Sequence, residues 1–127
     1  MAGVVERAVC NVTLEAGQDL RSSQYAFVSV SGTGICMLCR ASGEKMFGIL
    51  QNNPMSGDSA VVMTMGVSKL KGGYAVSIGN AITTNHSGMS APVTLTSGQY
   101  VMAYALEDIT ATYIHNVVVG GPAIRAM

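Results

Sequence analysis

The sequence predicts a compact all-β domain, a barrel or sandwich of short antiparallel strands with an extended N-terminal segment and at most one short helix. Short apolar or β-branched runs recur along the whole chain, and clusters of Gly, Ser, Asn and Pro separate them. The 127 residues suffice to bury the core of one domain without a disulfide or metal. We divide the chain into an N-terminal arm or edge strand, residues 1–15, and a single β-rich domain, residues 16–127.

The first half contains five predicted strands. They are Val4–Leu14, Tyr25–Val30, Ile35–Cys39, Met46–Gln51 and Ser59–Met65. Ser31–Gly34 is a short glycine-containing connector, which predicts a hairpin between the second and third strands. Asn52–Asp58 is the strongest loop signal, because it combines Pro, Gly and Asn and because Pro54 cannot donate a backbone hydrogen bond. The run after it is almost continuously apolar, which indicates a central strand.

The second half repeats this rhythm. Its predicted strands are Tyr74–Ile78, Ala81–Thr84, Ala91–Thr96, Tyr100–Leu106 and Thr112–Val119. Gly72–Gly73 permits a tight turn before the first of them. The segment Tyr100–Asp108 contains good helix formers and is the one place where a short helix competes with a strand. Gly120–Pro122 is expected to end the last strand.

The composition argues against nucleic acid as a partner and against a membrane-spanning helix. Charged residues make up 11% of the chain, whereas about 25% is usual for a soluble domain. A net charge of zero leaves no basic surface for nucleic acid. No apolar run approaches the ~20 residues that a membrane-spanning helix needs. The N-terminus does not resemble a signal peptide, so we expect synthesis in a cytoplasm-like compartment.

The two cysteines of the C-x-x-C pair are predicted to be structural. Cys36 and Cys39 form a C-x-x-C pair, but no second ligand pair accompanies it, and Cys10 stands alone. In a strand, residues three positions apart point to opposite faces, so the two thiols cannot hold one metal ion. No helix pattern follows the pair, as a thioredoxin-like site requires. We therefore expect small buried hydrophobic residues and no metal or cofactor.

The sequence contains no catalytic constellation. His86 lies in a polar loop, and His115 lies in an alternating strand beside no nucleophile or zinc motif. The neighbouring acids Glu107 and Asp108 are expected to point to opposite faces, which does not suit acid–base catalysis on one substrate. We predict that the chain is not an enzyme. The alternative from that class is a small ligand-binding or hydrolytic β-barrel that uses either histidine with Asp58.

The order of motifs resembles the small capsid cement, or head decoration, proteins of tailed bacteriophages. The segments that carry the resemblance are Ala16–Leu20 with Tyr25–Val28, Gly48–Pro54, Gly57–Asp58 leading into Val61–Met65, Gly66–Leu70, Gly79–Thr84 and Ser97–Glu107. It covers residues 16–119. Near the C-terminus the family places a Gly before Ala-Leu-Glu, and this chain has Tyr104 instead, which puts the local turn or close packing there in doubt.

The resemblance implies a structural virion protein that binds the outer surface of an icosahedral head as a trimer at local threefold positions. The implied partners are further copies of the chain and the major capsid protein, and the implied origin is the host bacterial cytoplasm. The alternative in the same class is another trimeric phage module, from the tail, the baseplate or a head fibre.

The two chain ends and the central loop provide the candidate contact residues. They are Val4, Val5, Arg7, Val9, Asn53, Pro54, Met55, Ile124 and Arg125. A terminal strand adds readily to the sheet edge of a neighbour through its backbone. We further expect the missing charges to be missing from the surfaces that face other subunits and the capsid.

Overall fold

The computed structural model describes residues 7–93, 99–111 and 113–125, with the backbone alone at residues 7, 8 and 125. The described chain forms one mixed sheet of nine strands and contains no helix, which confirms the all-β prediction. It therefore has no helix that could cross a membrane. The strands are β1 (Arg7–Ala16), β2 (Phe27–Ser31), β3 (Ile35–Leu38), β4 (Gly48–Leu50), β5 (Ser59–Lys71), β6 (Ala81–Thr84), β7 (Ser90–Pro92), β8 (Tyr100–Ala105) and β9 (Ile114–Arg125).

Five strands close into a ring. The sheet order begins β1-β3-β2-β4-β5, and β1 also pairs with β5, so the first strand meets the fifth. The predicted hairpin joins β2 to β3, with Gly32 and Gly34 at positive φ in its turn. The ring closes through a short parallel contact in which Glu15 and Ala16 face Ile35 and Cys36. This parallel pair departs from the purely antiparallel expectation.

The remaining strands form a second layer that grows from β5. The long strand β5 pairs with β1 over residues 59–67, with β4 at Val62 and Met63, and with β9 over residues 65–71, after which the order continues β9-β8-β6-β7. Its thirteen residues exceed the predicted Ser59–Met65 run. The twist of a long strand allows its two ends to belong to different layers.

Two hydrophobic cores lie on opposite sides of β2 and β4. Phe27 and Ile49 belong to a core shared with the second layer, whereas their chain neighbours Val28 and Leu50 belong to the core inside the ring. Successive strand residues point to opposite faces, so an apolar pair in each strand fills both cores. This explains why β4 is buried at all three of its residues.

The predicted strand Tyr100–Leu106 is confirmed as β8, and the competing helix does not form there. Two other sequence predictions need correction. Of the predicted strand Tyr74–Ile78, the fold retains an isolated bridge between Val76 and Ile109. The last strand does not end at Gly120–Pro122 but continues to Arg125. Gly121 lies so near the Thr64 carbonyl oxygen that a Cβ there would be 2.8 Å from it. This glycine provides close approach, not a turn.

Candidate contact surfaces

The charged residues lie at the margins of the sheet. Of the charged residues that the structure describes, five are in strands, all within three positions of a strand end. These five are Arg7, Glu15, Lys69, Lys71 and Arg125. The other described ones lie in loops. The middle of every described strand is therefore without a charged residue.

One sheet face on the second layer is partly exposed and mostly apolar, with charged residues at its margins. Residues directly opposite each other in neighbouring strands share a face. Two such rows, Ala81–Tyr104–Val118–Val67 and Gly120–Met65–Cys10, run across β6, β8, β9, β5 and β1, and the first of them ends at Arg7 of β1. We name this surface the outer face. Tyr104 and Met65 are 50% and 43% exposed, so the face presents large apolar side chains to solvent.

An apolar groove lies where the sheet divides. Strands β4 and β9 pair with the same edge of β5, on either side of Thr64. The groove there has a volume of about 420 Å³, and we name it the fork groove. It is lined by Cys10, Val12, Lys45, Met46, Phe47, Thr64, Met65, Met102, Gly121 and Pro122. Lys45 is the one charged residue in this lining.

Lys45 differs from the other lysines in its surroundings. Lys69 lies over the Tyr25 ring at 5.7 Å from its centroid, and the Lys71 ammonium donates to the Ser22 carbonyl. The exposed Lys45 side chain has no ion-pair or hydrogen-bond partner within the described part of the chain. An unpaired cation beside apolar surface favours an anionic partner.

The loop before β5 presents an apolar and acidic turn at the other end of β1. In the turn Met55–Asp58, the Asp58 N–H donates to the Met55 carbonyl at 3.0 Å, and Gly57 has φ of 89°. The Gly57 N–H also donates to the Ala16 carbonyl at 2.7 Å, which ties the turn to β1. Met55 is 51% exposed, Asp58 is exposed in the same turn, and Glu15 is exposed at the end of β1, where it lines a shallow pocket with Gly57 and Asp58. We name the Met55–Asp58 turn together with Glu15 the tip.

A histidine holds the loop between β8 and β9 through hydrogen bonds at both of its ring nitrogens. His115 Nδ1 lies 2.6 Å from a carboxylate oxygen of Glu107, and Nε2 lies 3.2 Å from the Thr110 N–H and 3.3 Å from its hydroxyl. The hydrogen bond from His115 lowers the pKa of Glu107. Because Nε2 accepts the Thr110 N–H, the ring closes the loop between β8 and β9.

The other sequence candidates for chemistry lie apart from this histidine. His86 is exposed in a turn that Asn85 closes by accepting the N–H groups of Ser87 and Met89. Asp58 belongs to the tip. In the ranges that the structure describes, no group of three His, Cys, Asp or Glu side chains is placed to hold a metal ion.

The cysteine prediction is confirmed for the C-x-x-C pair. Cys36 is buried in the core inside the ring, and Cys39 in the core shared with the second layer. Burial raises the pKa of the Cys36 thiol to about 11 and raises that of Cys39 further. Two thiols in separate cores neither share a metal nor act as nucleophiles at neutral pH.

The comparisons with known proteins connect this fold to a phage structure. No family model matches the sequence, and neither does any curated protein. The crystal structure of the head fiber gp8.5 N base in bacteriophage phi29 matches with a TM-score of 0.68 and 16% identity, over 87% of this chain and 93% of that one. The two chains share a fold. At this identity the likeness is one of fold, and the specific resemblance to cement proteins stays a prediction.

The structure places the predicted contact residues in different surroundings. Val9 and Ile124 are 68% and 69% exposed, Asn53 and Met55 are exposed in the loop before β5, and Pro54 is buried. Arg7 faces Val67, and Arg125 faces Tyr100, through their backbones. Val4 and Val5 lie outside the described residues.

The sequence reasoning did not find Lys45 or the aromatic residue of the outer face as contact candidates. Lys45 lies in a turn segment whose side chains become neighbours of β1 and β9 only through folding. Tyr104 stood out as a departure from the family pattern, and the structure places it in β8 between Ala81 and Val118. That departure was the one available signal for the outer face.

Proposed function

We propose that this chain is a structural protein of a phage virion, without enzymatic activity, which binds the outer surface of an assembled head as a trimer and stabilises it. The observation that carries the proposal is the fold shared with a phage head-fibre base over nearly the whole length of both chains. The exposed Tyr104 and Met65 of the outer face add support, because exposed apolar surface is typical of contact sites.

The stabilisation follows from mass action. A protein that binds the assembled shell, and not its separated subunits, stabilises the shell by RT ln(1 + [L]/Kd) per site, about 2.7 kcal/mol at a hundredfold excess over Kd. Three linked contacts in a trimer raise the overall avidity by about 10² to 10⁴ without new chemistry. Small apolar and polar contacts are therefore sufficient for this role.

The test uses heads of the encoding phage assembled without this chain. Purified protein is expected to bind them saturably and to raise their disruption temperature, as measured by light scattering and electron microscopy. Tyr104→Lys places a charge on the outer face and is expected to weaken binding to the heads. Ser42→Lys, at an exposed loop position, serves as the matched control. Absence of binding to assembled heads would contradict the proposal.

A second candidate function is the base module of a head fibre, which is favoured because the matching structure is a head-fibre base. A fibre base would carry a projecting partner, whereas a cement protein would cover the shell without one. Both bind the assembled head and would stabilise it by the same mass action, so the disruption temperature does not separate them. Electron microscopy of decorated heads does, because it shows the positions of the labelled protein and whether a fibre projects from it.

A further inference from the structure

We propose that the tip of one copy docks into the fork groove of the next copy, so that the chain assembles head to tail. This inference rests on the self-association in the proposed function and assigns the two surfaces that form the contact.

The two surfaces are complementary in chemistry. The tip presents an exposed Met55 with the carboxylates of Asp58 and Glu15, and the groove presents apolar side chains with the ammonium of Lys45. A flexible thioether fits an irregular apolar groove well. The carboxylates meet the one cation of the groove, which has no partner within the described residues. Opposite charges at an interface also fix its register.

The occupant must come from another copy. The tip is tied to β1 at Ala16, whereas the groove is lined by Cys10 and Val12 of the same strand. Four to six strand residues separate these points, about 13–20 Å at the rise of a β-strand. Because the Met55–Asp58 turn is held by two backbone hydrogen bonds, it cannot fold back over that distance.

A contact between two different surfaces is heterologous, and such contacts close into rings when the rotation between copies permits. A ring of three copies would use one tip and one groove at every interface, which agrees with the trimer of the proposed function. Docking also orders little, since the tip is rigid before binding, and preorganisation of this kind lowers the cost of association.

The test is a charge exchange, measured as the association constant by sedimentation equilibrium of the full chain. Lys45→Glu and Asp58→Lys are each expected to weaken self-association at least about tenfold. The double variant is expected to return to within about threefold of the original chain, because the pair is restored with reversed polarity. Arg40→Glu, exposed and outside the groove lining, is the matched control and leaves association within about twofold.

Circular dichroism and urea unfolding of each variant show that it folds. Met55→Ser removes the apolar part of the tip and is expected to weaken association without a charge change. Failure of the double variant to recover, unchanged association in the single variants, or a monomeric original chain would each overturn the inference. Binding of the same proteins to heads separates the two proposals, since a monomer that still binds heads retains the virion role and loses the tip contact.

Discussion

Gly48 in β4 lies close against β5, and Gly48→Ala tests how tightly these two strands are packed. A Cβ at this position would lie 2.4 Å from the Met63 carbonyl oxygen and 2.6 Å from a methyl group of Val62. Both contacts are shorter than the 3.0 Å below which real Cβ contacts do not occur, and the first is with backbone. The two strands must therefore separate.

The expected loss of unfolding free energy is about 2–4 kcal/mol. Overpacking in a filled core costs about 1–3 kcal/mol, and the separation weakens the backbone hydrogen bonding at the Ile49–Met63 pair by about 1 kcal/mol. For a domain of this length the melting temperature falls by roughly 6–20 °C. Urea unfolding at one fixed protein concentration measures the change, since association contributes to stability.

Gly120→Ala is the matched control for this substitution. Gly120 also lies in a strand, but a Cβ there would meet no atom within 4 Å. Alanine is expected to leave stability unchanged or to raise it by up to about 1 kcal/mol, because glycine loses more backbone entropy on folding. If Gly48→Ala is as stable as Gly120→Ala, the close packing inferred between β4 and β5 is wrong.

Three further predictions concern single groups. Because the pKa of Glu107 is lowered, its pair with His115 stabilises the fold above about pH 5, and this stabilisation is lost as the pH falls through the folded-state pKa. The unfolding free energy, measured as the pH is lowered, should therefore decline less steeply for Glu107→Gln than for the original chain. An identical decline would contradict this. Alkylation of the folded chain at a concentration too low for self-association, followed by mass spectrometry, should modify the exposed Cys10 alone, with all three thiols reacting after unfolding; rapid labelling of a buried thiol would refute the burial. Asn85→Ala should cost about 1–3 kcal/mol in thermal unfolding, because two backbone N–H groups lose their acceptor, and an unchanged melting temperature would show that the turn closes without it.

The local features of the fold were predictable from local patterns. The hairpin at Ser31–Gly34 and the loop Asn52–Asp58 are where glycine, proline and asparagine predict them. The opposite placement of Cys36 and Cys39 followed from strand periodicity. Each of these features depends on the conformational preferences of a few adjacent residues, which the sequence displays directly.

The candidate contact surfaces were predictable only in part. Met55 was found because it lies in a strong loop signal, and it is now the centre of the tip. Pro54, from the same signal, is buried, since the loop folds its backbone against Leu20. Lys45 was not found, because nothing adjacent to it in the chain indicates the apolar groove that it borders.

The sequence by itself determined an all-β chain with few charges in its strands, and with apolar pairs such as Phe27–Val28 that fill two cores. The tertiary structure decided which strand edges meet: β1 closes the ring through both β3 and β5, and β4 and β9 share one edge of β5. The physical reason is that alternation determines which side of a strand is buried, whereas pairing depends on edges brought together over long sequence separations. The fork groove and the tip arise at that level, from segments that no local pattern connects.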